Sequence, residues 1–69
     1  MSQAERDKLA VLLAYWIKHN NEHGEEFKEW AEKAGGFGES AVHDELLDAY
    51  HKINEANELL LKASEKLKK

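Results

Sequence analysis

Three side chains in one short stretch have the types and the spacing that a metal ion needs. In "HNNEHGEE", His19 and His23 are four residues apart, and Glu26 follows three residues later. On an α-helix such residues share a face, with side-chain roots about 5–6 Å apart. Imidazole is a good ligand for Zn, Ni, Cu or Fe. The stripe therefore predicts a site for a divalent transition metal with His19, His23 and Glu26 as ligands, while the fourth ligand stays open.

The same stretch admits a second interpretation, in which its polar residues bind no ligand. Asn20 and His23 fall at core positions of the first helix, and a buried polar side chain in a helical core can specify register and partner choice. The facing stretch of the second helix supplies Asn54 and Asn57. Two functions remain open: a small metal-binding protein for storage, sensing or delivery, and a structural or adaptor homodimer in which the His/Asn layer only specifies pairing.

Catalytic motifs do not match this stretch. The metalloprotease motif needs Glu directly after the first His, but Asn20 follows His19. Di-iron bundles use Glu three residues before His, and here Trp16 and Asn20 occupy those places. The chain has no Cys, and its Ser residues include two at expected helix starts. We expect no enzymatic activity, no catalytic residue and no organic cofactor.

Capping and glycine signals divide the chain into two helices. Ser2 with Glu5 forms a capping box, and Ser40 begins the second arm. Three of the four glycines lie in "GGFG", where Gly35 is the expected left-handed stop. We predict one domain over 1–69, with a helix over 3–34, a Gly-rich loop over 35–38 and a helix over 40–67.

Both arms carry a heptad seam of mostly apolar residues. The first seam contains Leu9, Leu13, Trp16, Asn20, His23, Phe27, Trp30 and Ala34. The second contains Val42, Leu46, Ala49, Ile53, Ala56, Leu60, Ala63 and Leu67. Two such helices joined by a short loop pack antiparallel, so the predicted fold is an all-α helical hairpin.

Further apolar residues predict that the hairpin associates with a second copy. Leu9 to Ile17 is apolar around the whole helix, which indicates burial on several sides. A second seam through Leu12, Leu47 and Leu61 would join two hairpins into a four-helix bundle, so we expect a homodimer. Phe37 in the loop caps the core or serves as an anchor for a partner protein.

Length and charge narrow the partners. The chain has 69 residues, near the lower limit for a domain that folds alone. Its net charge of −4 argues against nucleic-acid binding, which depends on Lys and Arg. The longest apolar run has nine residues, whereas a membrane span needs about 20, and its flanks do not fit a signal peptide. We expect no membrane partner and a cytoplasmic location.

The pattern W-x-x-H-N-x-E-H, followed by F-x-x-W-A and later by "EAN", carries a resemblance that spans most of the chain. The matching residues are Trp16, His19, Asn20, Glu22, His23, Phe27, Trp30, Ala31, Glu55, Ala56 and Asn57. The pattern resembles short uncharacterised prokaryotic helical-hairpin proteins, some of them associated with transition-metal handling. The resemblance implies that His19, Asn20, His23 and Asn57 act together, and it favours the metal-binding interpretation.

Overall fold

The computed structural model describes residues 2–68, which form two α-helices joined by a short turn. Helix α1 runs Gln3–Gly36 and helix α2 runs Ser40–Lys68. All regular structure in this range is helical, so the all-α class and the helical hairpin are confirmed. Helix α1 continues two residues past its predicted end, and the connection is 37–39. The ends of the predicted domain, residues 1 and 69, lie outside the description.

Capping and end-to-end contacts fix the hairpin. The Ser2 hydroxyl accepts a hydrogen bond from the Glu5 backbone N–H at 3.1 Å, as the capping box requires. At the other end of the hairpin the backbone N–H of Glu39 donates to the Ala34 carbonyl at 2.9 Å. The left-handed residue of the turn is Gly38, with φ of 91°, and not Gly35, which is helical. Arg6 Nη2 donates to the Leu67 carbonyl at 3.0 Å and ties the two termini together.

The contact surface of α1 is rotated by one residue from the predicted seam. Its buried residues are Leu13, Gly24, Ala31 and Ala34. Gly24 and Ala31 take the places that the heptad pattern predicts for His23 and Trp30, which lie one residue earlier. His23 is only half-buried, and Trp30 is 54% exposed. In α2 the rotation has the same sense, because Asn57 is buried whereas Ala56 is exposed.

Close approach of the two helices explains the rotation. A Cβ atom at Gly24 would lie 3.2 Å from Ile53 Cγ2 and 3.7 Å from Tyr50 Cδ1, so no larger residue fits there without a shift. Small residues let helix backbones come close enough to share a tight interface, whereas the large Trp30 ring at this interface would hold the helices apart.

The rotation places the bulky residues of the predicted seam on one side of the hairpin. Moving back one residue from the interface leads to the same side on both helices, because the helices have one hand and opposite directions. We call this side the open face. Its residues include Trp16, His23 and Trp30 of α1 and Val42, Ala49, Ala56 and Ala63 of α2, and by the same rule also Leu12, Glu45, Lys52 and Leu59. The opposite flank is marked by the Asn21–Asn57 hydrogen bond and by Lys28 Nζ, 5.8 Å from the centre of the Tyr50 ring.

The three leucines of the predicted second seam do not share a side of the hairpin. Leu12 precedes the buried Leu13 and so lies toward the open face. Leu47 and Leu61 are each seven residues from Asn54, which follows the interface residue Ile53, and they lie toward the opposite flank. These three leucines therefore do not form one continuous face of the hairpin.

A single hairpin buries little. Its backbone measures 52 × 14 × 13 Å, and each helix has one neighbour. The predicted all-round burial of Leu9 to Ile17 is not achieved within one chain, since Val11 is 70% exposed. Across residues 2–68, neither helix combines the length and apolarity needed to cross a membrane.

Candidate functional site

The two predicted imidazole ligands meet on α1. His19 and His23 are one helical turn apart, and their Nε2 atoms are 2.9 Å from each other. The ring planes are nearly perpendicular, at 87°, with centroids 4.3 Å apart. At this distance one Nε2 carries a hydrogen and donates it, while the other offers its lone pair. The two Nε2 atoms therefore have different hydrogen-bonding roles. Both point toward the same small region of space between the rings.

Aromatic rings extend this pair in both directions along the helix. Tyr15 stacks on His19 with centroids 5.4 Å apart, and Phe27 lies 6.2 Å from His23. The four rings follow the i, i+4 spacing of a helix, so they form one stripe that includes His23 of the open face. His19 is exposed and His23 is half-buried. The pair therefore lies at the surface of the hairpin and not in its interior.

The imidazole pair fits a transition metal with a small adjustment. Two nitrogens bound to one tetrahedral ion lie about 3.3 Å apart, given metal–nitrogen distances of about 2.0–2.1 Å. The Nε2 atoms at 2.9 Å thus need to separate by only a few tenths of an ångström. Between residues 2 and 68, no three His, Asp or Glu side chains are grouped so that they could hold one ion. Glu26 is exposed, and its role as third ligand stays a prediction.

The amides form a separate cluster between the two helices. Asn57 is the buried polar residue of α2, only 6% exposed. Its Nδ2 donates to Asn21 Oδ1 at 2.9 Å and to the Ile17 carbonyl at 3.2 Å. Its Oδ1 accepts from Asn20 Nδ2 at 3.0 Å. Both donor hydrogens and the acceptor oxygen of this amide are used, so the cost of burying it is offset by three hydrogen bonds.

The imidazoles and the amides do not join into the single enclosed layer that the sequence predicts. Asn20 faces α2, but His19 and His23 make their polar contact with each other on α1. No hydrogen bond between an amide of the cluster and either imidazole occurs in the described chain. His51 of α2 has a side chain of the right type for a fourth metal ligand. It is exposed and packs beside the Tyr50 ring.

Asn21 is a member of the amide cluster that the heptad pattern does not place at the interface. It follows Asn20, and it reaches Asn57 because the helix is rotated by one residue. The paired amides "NN" opposite "EAN" are the only sequence signal for it. That signal depends on how α1 is aligned against α2, and sequence periodicity alone leaves this alignment uncertain by about one helical turn.

The fold and its polar centre define a small all-α protein of the helical-hairpin class. Within that class, the chain belongs to the family described as "Domain of unknown function (DUF8180)", whose family model matches residues 9–67. The matched range contains the imidazole pair and the amide cluster. No curated protein and no solved structure matches the chain.

Proposed function

We propose that this protein is a small, non-enzymatic metal-binding protein that holds a divalent transition metal between His19 and His23. Storage, sensing or delivery of the metal would all use this site. The observation that carries the proposal is the 2.9 Å approach of the two Nε2 atoms on an accessible stripe. When an ion binds, the ring that carries its hydrogen on Nε2 releases it to water and takes one up on Nδ1, so that both Nε2 lone pairs are free and the shared hydrogen bond is replaced by two coordinate bonds.

The ligand type narrows the metal to Zn, Ni, Cu or Fe. Neutral imidazole is a good ligand for these ions, whereas Mg and Ca prefer oxygen. Glu26 lies one turn beyond His23 and supplies a carboxylate when its exposed side chain turns back toward the ion. Water fills the remaining positions. Such a site exchanges its metal readily, which fits sensing or delivery better than a permanent structural role.

Metal titration tests the proposal directly. Metal-free protein is titrated with Ni, Zn and Co at about pH 7.5 and about pH 5.5, and binding is followed by calorimetry and by the visible absorption of Co. We expect one ion per chain at the higher pH and much weaker binding at the lower pH, because protonated imidazole cannot coordinate. Affinity no tighter than about 100 μM for every ion would contradict the proposal.

A matched pair of double variants locates the site. His19→Ala with His23→Ala removes both imidazoles of the stripe, and we expect metal affinity to fall at least tenfold. His43→Ala with His51→Ala removes the same number of imidazoles elsewhere, and we expect affinity to be retained. Equal losses in both would show that the metal binds histidines in general. In a separate variant, Glu26→Gln weakens binding several-fold if the carboxylate is the third ligand.

The second candidate is a structural or adaptor homodimer module in which the polar residues only specify helix pairing. The three hydrogen bonds of the buried Asn57 amide favour this alternative. A buried polar group that finds its hydrogen-bond partners in only one helix register makes every other register less stable. Under this alternative no ion binds tightly, and loss of the imidazole pair lowers stability or alters pairing instead of metal affinity. The same titration and the same double variants therefore separate the two candidates.

A further inference from the structure

We propose that one divalent transition metal ion joins two copies of this chain when metal is scarce, with His19 and His23 of each copy as its four ligands. The proposal rests on the metal binding proposed above and names the partner that completes that site. It differs from the homodimer that the sequence predicts, because the ion and the rings around it, and not a leucine seam, bring the two copies together.

The metal site of a single chain is incomplete. His19 and His23 supply two nitrogens, with their Nε2 atoms 2.9 Å apart. Within 2–68, no group of three or more His, Asp or Glu side chains is arranged to hold one ion. A closed Zn site is tetrahedral with four protein ligands, and imidazole suits Ni, Cu and Fe as well. A second copy of the same pair supplies the two missing nitrogens.

A twofold axis through the ion generates this second pair. In a twofold dimer both copies present the same surface to each other, so an ion on the axis receives two nitrogens from each side. The imidazole pair lies where a second copy can approach it, since His19 is exposed and Tyr15, its neighbour in the stripe, is 57% exposed. Helical bundles also build metal sites from side chains on facing helices.

The aromatic stripe is complementary to itself. It has an imidazole pair in the middle and an aromatic ring at each end, at equal steps of four residues: Tyr15, His19, His23 and Phe27. When two stripes run in opposite directions past one ion, His19 lies level with the partner's His23. Tyr15 then lies level with the partner's Phe27. Aromatic rings therefore meet on both sides of the ion and shield it from water.

The charge distribution favours a second copy in the antiparallel orientation. The Asn20–Asn57 hydrogen bond marks the height of the imidazole pair and divides the hairpin into two halves. The turn half, 21–56, has ten acidic and three basic side chains, whereas the terminal half, 2–20 with 57–68, has four acidic and six basic ones. Antiparallel copies bring each acidic half toward the basic half of the partner. Parallel copies would bring the two acidic halves together, which is unfavourable.

Sedimentation at increasing metal-to-chain ratios tests the proposal. Metal-free protein at about 20 μM and about pH 7.5 is mixed with Zn, and calorimetry follows the ions bound. We expect the dissociation constant of the dimer to fall at least about tenfold with half an equivalent of Zn, because the ion binds only between two copies at that ratio. At several equivalents each chain takes its own ion. The dimer fraction should then decline while the number of bound ions rises to one per chain.

A matched pair of serine variants separates the stripe from the ligands. Tyr15→Ser removes a ring from the end of the stripe and keeps both imidazoles, so the dissociation constant of the Zn-joined dimer should rise several-fold. A monomeric chain should still bind its own ion with unchanged affinity. Phe37→Ser makes a comparable change at an aromatic residue in the turn that is 66% exposed, and the dimer should persist. Circular dichroism checks that both variants keep their helices.

A distance between the two turns tests the orientation. The chain has no Cys, so Phe37→Cys gives a single position for a spin label. Rows of residues at i, i+4 are inclined to the helix axis, so two helices that meet along such rows cross at about 50°. For hairpins 52 Å long that cross near their middle, the labels should be about 45 Å apart in the antiparallel orientation and about 20 Å apart in the parallel one.

The outcomes distinguish a failure of this proposal from a failure of metal binding. A chain that binds Zn and stays monomeric at every ratio would overturn the shared site and leave the single-chain site intact. A chain that binds no Zn in calorimetry would overturn both. A dimer that Phe37→Ser disrupts and Tyr15→Ser spares would place the contact away from the stripe, and a label distance near 20 Å would overturn the antiparallel orientation.

Discussion

Two polar clusters occupy the same height of α1 and differ in almost every physical respect. The amides of Asn20, Asn21 and Asn57 connect the two helices, and their centre is buried. The imidazoles of His19 and His23 belong to one helix and contact each other, and they are exposed and half-buried respectively. A side chain that hydrogen-bonds across two helices holds them together. A hydrogen-bonded pair within one helix can be removed without loss of any contact between the helices.

This difference assigns separate roles to residue types that the sequence presents together. The buried amide has both donor hydrogens committed within the protein, and its oxygen already accepts from Asn20, so it is tied to the helix interface and not to a ligand. The two Nε2 atoms of the imidazole pair are joined by one hydrogen bond, and a metal ion can bind between them when both lone pairs are free. We therefore expect substitutions in the amide cluster to change stability and substitutions in the imidazole pair to change binding.

The largest effect should come from Asn57→Ala. The substitution removes three interhelical hydrogen bonds and leaves a space beside Asn20, so the free energy of unfolding should fall by about 3 kcal/mol. Urea unfolding followed by circular dichroism measures the change. Protein concentration must be held constant, because association of the folded chain shifts the midpoint.

A paired substitution shows whether the loss comes from the unsatisfied partner. Asn20→Leu with Asn57→Leu replaces both amides by apolar groups of similar size, and the double variant should be more stable than Asn57→Leu alone. If the double variant were the less stable of the two, the amides would be acting independently, and the cluster would not be the unit that joins the helices.

A smaller effect should come from Gly24→Leu. The position faces Ile53 and Tyr50 at contact distance, so a large side chain forces the helices apart and should cost about 2 kcal/mol. Gly36→Leu is the control, since a Cβ there meets nothing within 4 Å. The same urea experiment applies to both. An equal change at the two positions would mean that glycine flexibility, and not the closeness of the helices, governs stability at Gly24.

The sequence is sufficient to predict the hairpin. The start of α1 follows from the capping chemistry of Ser2, α2 begins at Ser40 as predicted, and the "GGFG" stretch marks the turn. These signals depend on nearest neighbours, so they can be read without knowing the tertiary contacts. The i, i+4 meeting of His19 with His23 is predictable for the same reason, because both residues lie on one helix.

The interface is harder to predict because two heptad sets compete. Leu13 and Ala34 belong to either set, and the choice lies between His23 with Trp30 and Gly24 with Ala31. Hydrophobicity favours the bulky set, since a tryptophan buries more apolar area than an alanine. The closest contact between the helices favours the small set, and that contact depends on the partner helix. Sequence periodicity describes one helix at a time, so it cannot decide between the bulky set and the small set of interface residues.

The smallest effect on stability should come from His19→Ala with His23→Ala. The pair touches no residue of α2 through a hydrogen bond, and alanine has the higher helix propensity, so the free energy of unfolding should change by less than about 0.5 kcal/mol. Measured in the absence of metal, this result would complete the contrast with Asn57→Ala. A loss comparable to that of Asn57→Ala would mean that the imidazoles support the interface after all. In that case the accessible stripe would be part of the fold, and reduced metal binding by the double variant would no longer identify the ligands, because unfolding alone would explain it.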